Sequence, residues 1–277
     1  MRTVHELGRG NHTLESQARY IGVVSGADRV HRERAAYDRG VHERSEAWHR
    51  RASHVLECAN TRRGDELWKR LIRDAVSDGG RVLDVGCGKG STARRAHESG
   101  ASYVLGIDIS EHQLAPAWPK QVPGALEFRV ANALEPLGGD RFDLVVGRSV
   151  LHHVDLQTLL DCVTQNSLAP GGRMLWMEPL AHPLALAFHK LVPSAHTPDE
   201  NPLKPSDLRW IQSRFSGTRV FPINLVSFPA GALSSLVFAT ADNWLMRGAD
   251  DLDQVLLRHP AFVPYARQGI IAIPGAG

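Results

Sequence analysis

The stretch that decides the fold is Arg81-Val82-Leu83-Asp84-Val85-Gly86-Cys87-Gly88-Lys89-Gly90. Arg81 to Val85 reads as a short apolar strand with a carboxylate, Asp84, near its end. Gly86, Gly88 and Gly90 follow at alternate positions. Without a Cβ, each lets the backbone turn sharply and approach a ligand closely. Ser91 and Thr92 are cap residues for a helix through Arg94–Glu98, and Gly100 is placed to end it. A strand, a glycine loop and a helix in this order hold a small molecule.

The residues also say which kind. A dinucleotide fold carries G-x-G-x-x-G. Here the third glycine comes one residue early, and Ser91 takes the later place. Asp84 would repel a pyrophosphate but favours a cationic ammonium or sulfonium; its plainer reading is a strand-end carboxylate that caps the next helix. Asp108 closes a second apolar run, YVLGIDIS (103–110). A carboxylate at that place accepts two ribose hydroxyls.

Outward from this unit, strands and helices alternate, with strands near 81–85, 103–107, 126–130, 143–147 and 172–178. Alternation of this kind predicts a parallel sheet with helices on both faces and a ligand at the strands' carboxyl ends. A further helix, Glu66 to Val76, leads into the first strand. Upstream, Val30, Tyr37, Val41, Trp48, Ala52 and Val55 fall on one helical stripe, weakened at Gly40. The opposite face is rich in Arg and His. Glu33, Asp38, Glu43 and Glu46 interleave there, which reads as a solvated face of ion pairs rather than a nucleic-acid surface. After Glu178, segment 179–205 is rich in proline, long enough to suggest a functional cap. Ser206 and Asp207 begin a helix. RVFPINLVSF and RQGIIAIPG read as two final strands, with a helical insertion from about Gly231 to Leu257.

Four segments in order resemble class I S-adenosylmethionine-dependent methyltransferases, of the small-molecule, natural-product type. Asp84-x-Gly86-x-Gly88-x-Gly90 with Asp108 looks like the family's first two motifs. ANALEPL (131–137) resembles the segment that edges the adenine. RFDLVVGRSVLHHV (141–154) looks like the fourth strand and its exit, and LAPGGRMLWMEPL (168–180) like the Pro-Gly-Gly turn into the fifth. The resemblance is close over roughly 80–180. It implies a doubly wound α/β, seven-strand, Rossmann-like sheet, with an N-terminal helical lid (1–64) ahead of a methyltransferase domain (65–277). Substrate caps are expected at 179–215 and about 229–262. It implies S-adenosylmethionine as cofactor and S-adenosylhomocysteine as its product. Asp84 would sit near the cofactor ammonium, Gly86, Gly88 and Gly90 would serve through their backbone, and Asp108 would bind ribose. Ile109 would pack on adenine, and Asn132, where the family often has Asp, would edge the adenine amine with Ala133. Arg148 would contact the methionine part through its backbone, with its side chain in an ion pair.

Methyl transfer from a sulfonium needs mainly alignment and exclusion of water, with a base where the acceptor must lose a proton. The base candidates are His182, at the carboxyl end of the fifth strand, and His152 and His153, after the fourth; His189 and His196 lie in the cap. Each also has a structural reading as a hydrogen-bonded imidazole. His152 and His153 would diverge on a helix, so no metal is expected there. Tyr20, Tyr37, Trp48, Phe188 and Trp210 are candidate linings of the acceptor pocket, although aromatic residues at helical spacing more often form plain core.

Composition narrows the classes further. The 277 residues carry a net charge of +2 and no apolar run long enough to span a membrane. Nucleic acid is therefore not an expected partner, and a small-molecule acceptor is. MRTVHELGRGNHTLESQ lacks the apolar region of a signal peptide. The three cysteines, Cys58, Cys87 and Cys162, lack paired spacing, which suits a reduced cytoplasmic setting. Arg and Ala richness with few Lys points to a bacterial source. The stripe before residue 64 needs a partner and could supply a homo-oligomer contact. The readings carried forward are O- or N-methylation with a histidine base, C-methylation of an aromatic or prenyl carbon, possibly with carbocation cyclisation, and a cofactor-binding protein that no longer methylates. The early third glycine disfavours a dehydrogenase.

Overall fold

The computed structural model describes residues 26–41, 53–192, 196–197 and 199–275. Its centre is one seven-stranded sheet in the order β3-β2-β1-β4-β5-β7-β6. The strands are β1 (Arg81–Val85), β2 (Tyr103–Asp108), β3 (Leu126–Val130), β4 (Phe142–Arg148), β5 (Leu168–Pro179), β6 (Arg219–Ile223) and β7 (Gln268–Ile273). The first five pair in parallel, while β7 runs antiparallel to both β5 and β6.

The central strands are apolar on both faces because helices cover both. On one face Leu83, Val85, Leu105, Ile107, Val145 and Trp176 pack against α6 (Leu156–Asn166) and α8 (Pro205–Arg214). On the other, Val82, Val104, Leu144, Val146 and Met177 pack against α3 (Ala59–Val76) and α4 (Ser91–Glu98). The strand order turns back between β1 and β4, which opens a crevice at their carboxyl ends. The first helix among the described residues, α1 (Gly26–Asp38), lies over that crevice, and the short α5 (Glu111–Leu114) sits beside it.

Three local expectations change. The helix before β1 starts at Ala59 rather than Glu66, after the short α2 (Ser53–Glu57). RVFPINLVSF is a strand only to Ile223. Asn224 takes a left-handed φ of 59°, and the buried Asp253 carboxylate captures the backbone N–H groups of Leu225, Val226 and Ser227, so the chain turns into α9 (Ser227–Val237). Together with α10 (Trp244–Leu256), α9 forms a small separate core around Cys58, Ala230, Met246 and Ala249. The cap on α4 also differs. Gly90 is its N-cap residue, and the first-turn N–H of Ala93 is satisfied by Asp84 Oδ2 at 2.8 Å rather than by Ser91 or Thr92. No helix among the described residues is long and apolar enough to cross a membrane.

Candidate active site

The β1 exit makes two tight turns. Gly86 and Gly88 have φ of 63° and 48°, a region that L side chains rarely adopt. A Cβ on Gly86 would lie 2.5 Å from Val150 Cγ2, whereas one on Gly88 would meet no described atom within 4 Å. Gly88 thus offers bare backbone to open space. Gly90 serves packing: a Cβ there would lie 2.6 Å from the Phe128 ring.

That open space is a cavity of about 800 Å³ at the carboxyl ends of β1, β2 and β4. Asp84, Gly86, Gly88, Asp108, Ile109, Asn132, Ala133 and Arg148 line it, together with Tyr37 and His153. Asp108 is held through both oxygens, which accept N–H bonds from Gly88 (3.0 Å) and Ser110 (2.9 Å). With its four lone pairs not all taken, the carboxylate keeps acceptor capacity for a ligand hydroxyl. Asn132 Oδ1 accepts from Leu134 N at 3.0 Å, which fixes the amide at the cavity rim. The Arg148 guanidinium turns away to Asp65 at 3.1 Å.

The electrostatics favour a cation. Burial pushes the Asp84 carboxyl up to about 8; the Ala93 N–H opposes this and the nearby Asp108 charge adds to it. Burial raises Asp108 as well, against the N–H bonds of Ser110, Gly88 and Ile109 and with the Asp38 charge adding. Two neighbouring carboxylates that are costly to ionise gain most from a positive ligand. The carboxylate pair, the bare glycine backbone and the remaining acceptor capacity of Asp108 therefore fit an adenosyl ligand bearing an ammonium and a sulfonium.

A further part of the lining is built by α1. Arg29 donates to the carbonyls of His153 (2.8 Å) and Asp199 (2.6 Å), and Arg32 forks onto the Asp199 carboxylate at 2.8 and 2.9 Å. Glu33 was expected on a solvated face, yet it is buried: Thr197 donates to its Oε1 at 2.7 Å, and its Oε2 lies 3.0 Å from His153 Nδ1. His153 Nε2 shares a 2.9 Å hydrogen bond with the Tyr37 hydroxyl. Asp38 accepts from the Ser110 hydroxyl, which ties α1 to the ribose-side carboxylate's own loop.

The two adjacent histidines do not diverge. They sit on a single 3₁₀ turn, Leu151–His153, with ring centroids 4.0 Å apart. His152 lies behind the wall, its Nδ1 2.7 Å from Glu178 Oε2. Glu178 is fully buried and also accepts the N–H groups of Val150 and Leu151, so it shapes the exit of β4. Burial, then the His153 charge, pulls His152 down, although Glu178 opposes. Burial pulls on His153 too, but the bond to Glu33 and the charges of Glu33, Glu200 and Glu178 outweigh it and raise this imidazole. Burial and the same carboxylates hold the Tyr37 phenol well above its usual range, so it stays protonated.

Gly90, His152, His182, Phe188 and Trp210 lie outside the described cavity lining. His182, expected beside the acceptor, is the N-cap of α7 (Pro183–Leu191): its Nδ1 accepts from Leu184 N at 3.1 Å and its Nε2–H donates to the Leu225 carbonyl at 3.1 Å. Both nitrogens are engaged. Phe188 meets His196 edge-on, and Trp210 packs on the main core with Phe215. Tyr20 and Trp48 lie outside the described residues. Sequence reasoning missed Arg29, Glu33, Glu178 and Thr197. Only Glu33 left a signal: it stands three residues after Val30 and four before Tyr37, on the buried stripe.

A family model described as a methyltransferase domain matches residues 37–227, more than half of the chain. The chain belongs to this methyltransferase family. Over 147 residues the domain is 35% identical to 27-O-demethylrifamycin SV methyltransferase of Amycolatopsis mediterranei, covering 51% of this chain and 49% of that protein. The chain spans about half the length of the first curated relatives it matches. Among solved structures, magnesium protoporphyrin IX methyltransferase of Synechocystis PCC 6803, with bound S-adenosylmethionine, superposes with a TM-score of 0.54 at 16% identity, over 92% of this chain and 99% of that one. Geranyl diphosphate C-methyltransferase of Streptomyces coelicolor A3(2) superposes with a TM-score of 0.54 at 15% identity, over 78% and 81%. At such identities the likeness is one of fold, and it agrees with the doubly wound seven-strand sheet.

Proposed function

We propose that this methyltransferase domain binds S-adenosylmethionine in the 800 Å³ cavity and methylates an oxygen or nitrogen of a small molecule, of the kind made in bacterial secondary metabolism. The observation that carries the reading is the shared lining of one cavity: the Asp84 and Asp108 carboxylates together with the Glu33–His153–Tyr37 array. When bound, the cofactor supplies a methyl carbon already activated by positive sulfur. Asp84 would hold its ammonium, Asp108 its ribose hydroxyls, and Ile109, Ala133 and Asn132 its adenine. The Gly86–Gly88 backbone lets the ligand lie close to β1.

The acceptor's proton goes to His153. Thr197 Oγ1, 3.2 Å from Nδ1, holds the ring, and Glu33, whose Oε2 lies 3.0 Å from the same nitrogen, stabilises the imidazolium that forms. Tyr37, kept as a phenol, donates to Nε2 in the resting site, and an acceptor hydroxyl or amine takes its place there. Helix α1 closes the cavity against water through Arg29 and Arg32. The name of the rifamycin-modifying relative supports an oxygen acceptor on a small molecule.

The test is incubation with methyl-labelled S-adenosylmethionine and a panel of phenols, aliphatic alcohols and amines, with the product mapped by NMR. Label on oxygen or nitrogen, lost in His153→Ala, is the expected result. Label on carbon would overturn the base assignment. Absence of S-adenosylmethionine binding would overturn the whole reading.

A further inference from the structure

The carboxyl-end side of the sheet carries a charge that the methyl-transfer reading does not use. Arg267 stands immediately before β7. Its N–H donates to the Asn224 carbonyl at 2.6 Å, and its carbonyl accepts from Leu180 N at 3.0 Å. These bonds fix its backbone beside the end of β5. Its guanidinium has no hydrogen bond and no ion pair among the described residues. The contact it makes is with the ring of Phe228, in α9, whose centroid lies 5.7 Å from its central carbon. A ring face attracts the cation but leaves its five N–H donors unused.

A guanidinium cannot escape burial by losing its proton, so desolvation without an anion is a standing cost. Burial lowers the Arg267 guanidinium from its ordinary value; Cys58 and Asp65 oppose this, and the Arg148 charge adds to it. Arg267 is nevertheless only partly buried, so its donors remain reachable. Arg148, the second cation, closes β4 and lines the cofactor cavity. It pairs with Met177 of β5, and Pro179 of β5 pairs with Gln268 of β7, so the two arginines flank the end of β5. The Arg148–Asp65 bridge has side chains 46% and 36% exposed, a weak surface pair that a better anion can displace.

We propose that Arg267, with Arg148 beside it, is an oxyanion subsite for the methyl acceptor, so that the acceptor carries a carboxylate or a phosphate. This rests on the methyltransferase reading of the neighbouring cavity. The planar fork of Arg267 matches two oxygens of such a group. Arg148 joins that anion to the cavity from which the methyl comes.

Calorimetry on the full chain saturated with S-adenosylhomocysteine tests this, with benzoate, phenyl phosphate and neutral benzamide as probes. At least one of the two anions should bind once per chain, at least about tenfold tighter than benzamide, the difference that one charge-assisted hydrogen bond makes. The tighter of the two tells carboxylate from phosphate. Arg267→Met keeps the aliphatic stem and removes the fork, so it should weaken the anion by a similar factor. Arg267→Lys, which keeps the charge without the fork, should fall between, and it reads the site if Arg267→Met does not fold. Unchanged affinity for S-adenosylhomocysteine shows that a variant is folded. Without anion, Arg267→Met should melt no lower than the parent, because it relieves an unpaired charge. A lower Tm would make Arg267 a structural cation and overturn the proposal. So would a parent that binds S-adenosylhomocysteine without preferring an anion, or equal anion affinity in parent and variants. Failure to bind S-adenosylhomocysteine would instead overturn the reading beneath it.

Discussion

Two parts of the cavity lining are assembled differently. In the glycine-loop part, Asp84, Gly86, Gly88 and Asp108 come from two adjacent strands and the loop between them, and much of the surface offered is backbone. In the α1 part, the contacts join side chains remote in sequence: Glu33 with Thr197 across 164 residues, Tyr37 with His153 across 116, and Arg29 with Asp199 across 170. A site made of backbone turns and strand-end carboxylates is written locally and holds an invariant ligand. A site made of long-range side-chain pairs can change with its acceptor while the sheet stays the same.

The largest expected effect separates the two parts by turnover. His153→Ala should lower kcat by about 10²–10⁴-fold, measured by S-adenosylhomocysteine release with a saturating acceptor. Because Glu33 raises the His153 imidazole, parent activity should climb with pH through a value above the usual histidine range, as His153 loses its proton. The variant should lose that limb. A loss under about tenfold would mean that histidine does not limit the reaction, and a carbon acceptor would then be the better account.

Next comes Asp108→Ala, which acts on the other part. It removes an anionic acceptor and leaves ribose hydroxyls unpaired, so cofactor binding should weaken by about 2–4 kcal/mol in calorimetry. Unchanged affinity would remove Asp108 from the ribose site.

A smaller effect follows from Asp84, whose carboxyl is pushed up to about 8 by burial. A cationic ligand favours its ionised form, so binding below that pH releases a proton. Affinity should rise by at most about tenfold per pH unit up to the raised value and then level off. Titrations in two buffers of different ionisation enthalpy, at neutral pH, should show the proton leaving. Buffer-independent heats would contradict the carboxyl state assigned to Asp84.

The smallest effect is expected at His182. Removal of this α7 cap should cost about 1 kcal/mol of stability, read as a lower Tm, with turnover little changed. A large fall in turnover with Tm intact would return His182 to the reaction.

How legible each part was in the sequence follows from the same contrast. The β1–Gly loop–α4 unit and Asp108 are set by glycines, strand periodicity and a carboxylate at a fixed offset, so their positions could be read directly. The parallel order followed from strand–helix alternation. His182 and His153 could not be ranked, because their difference lies in partners: a Leu225 carbonyl and a Leu184 N–H for one, Glu33 and Tyr37 for the other. Glu33 was misread because mixed charge on a helix usually marks a wet face, and tertiary packing of α1 on the 196–200 segment reverses that. The end of β6 was hidden for a similar reason. Asp253, nearly thirty residues downstream, takes the backbone donors that a longer strand would have used.

The central claim is that one cavity binds the methyl donor through its glycine-loop lining and handles the acceptor's proton through its α1 lining, with separable residues. The most direct test is calorimetric titration of S-adenosylmethionine into His153→Ala protein. His153 pairs with Glu33, Thr197 and Tyr37 rather than with Asp84 or Asp108, so the account predicts a Kd within about twofold of the parent. A loss of affinity as large as that of Asp108→Ala would show that the two parts are one site and would contradict it.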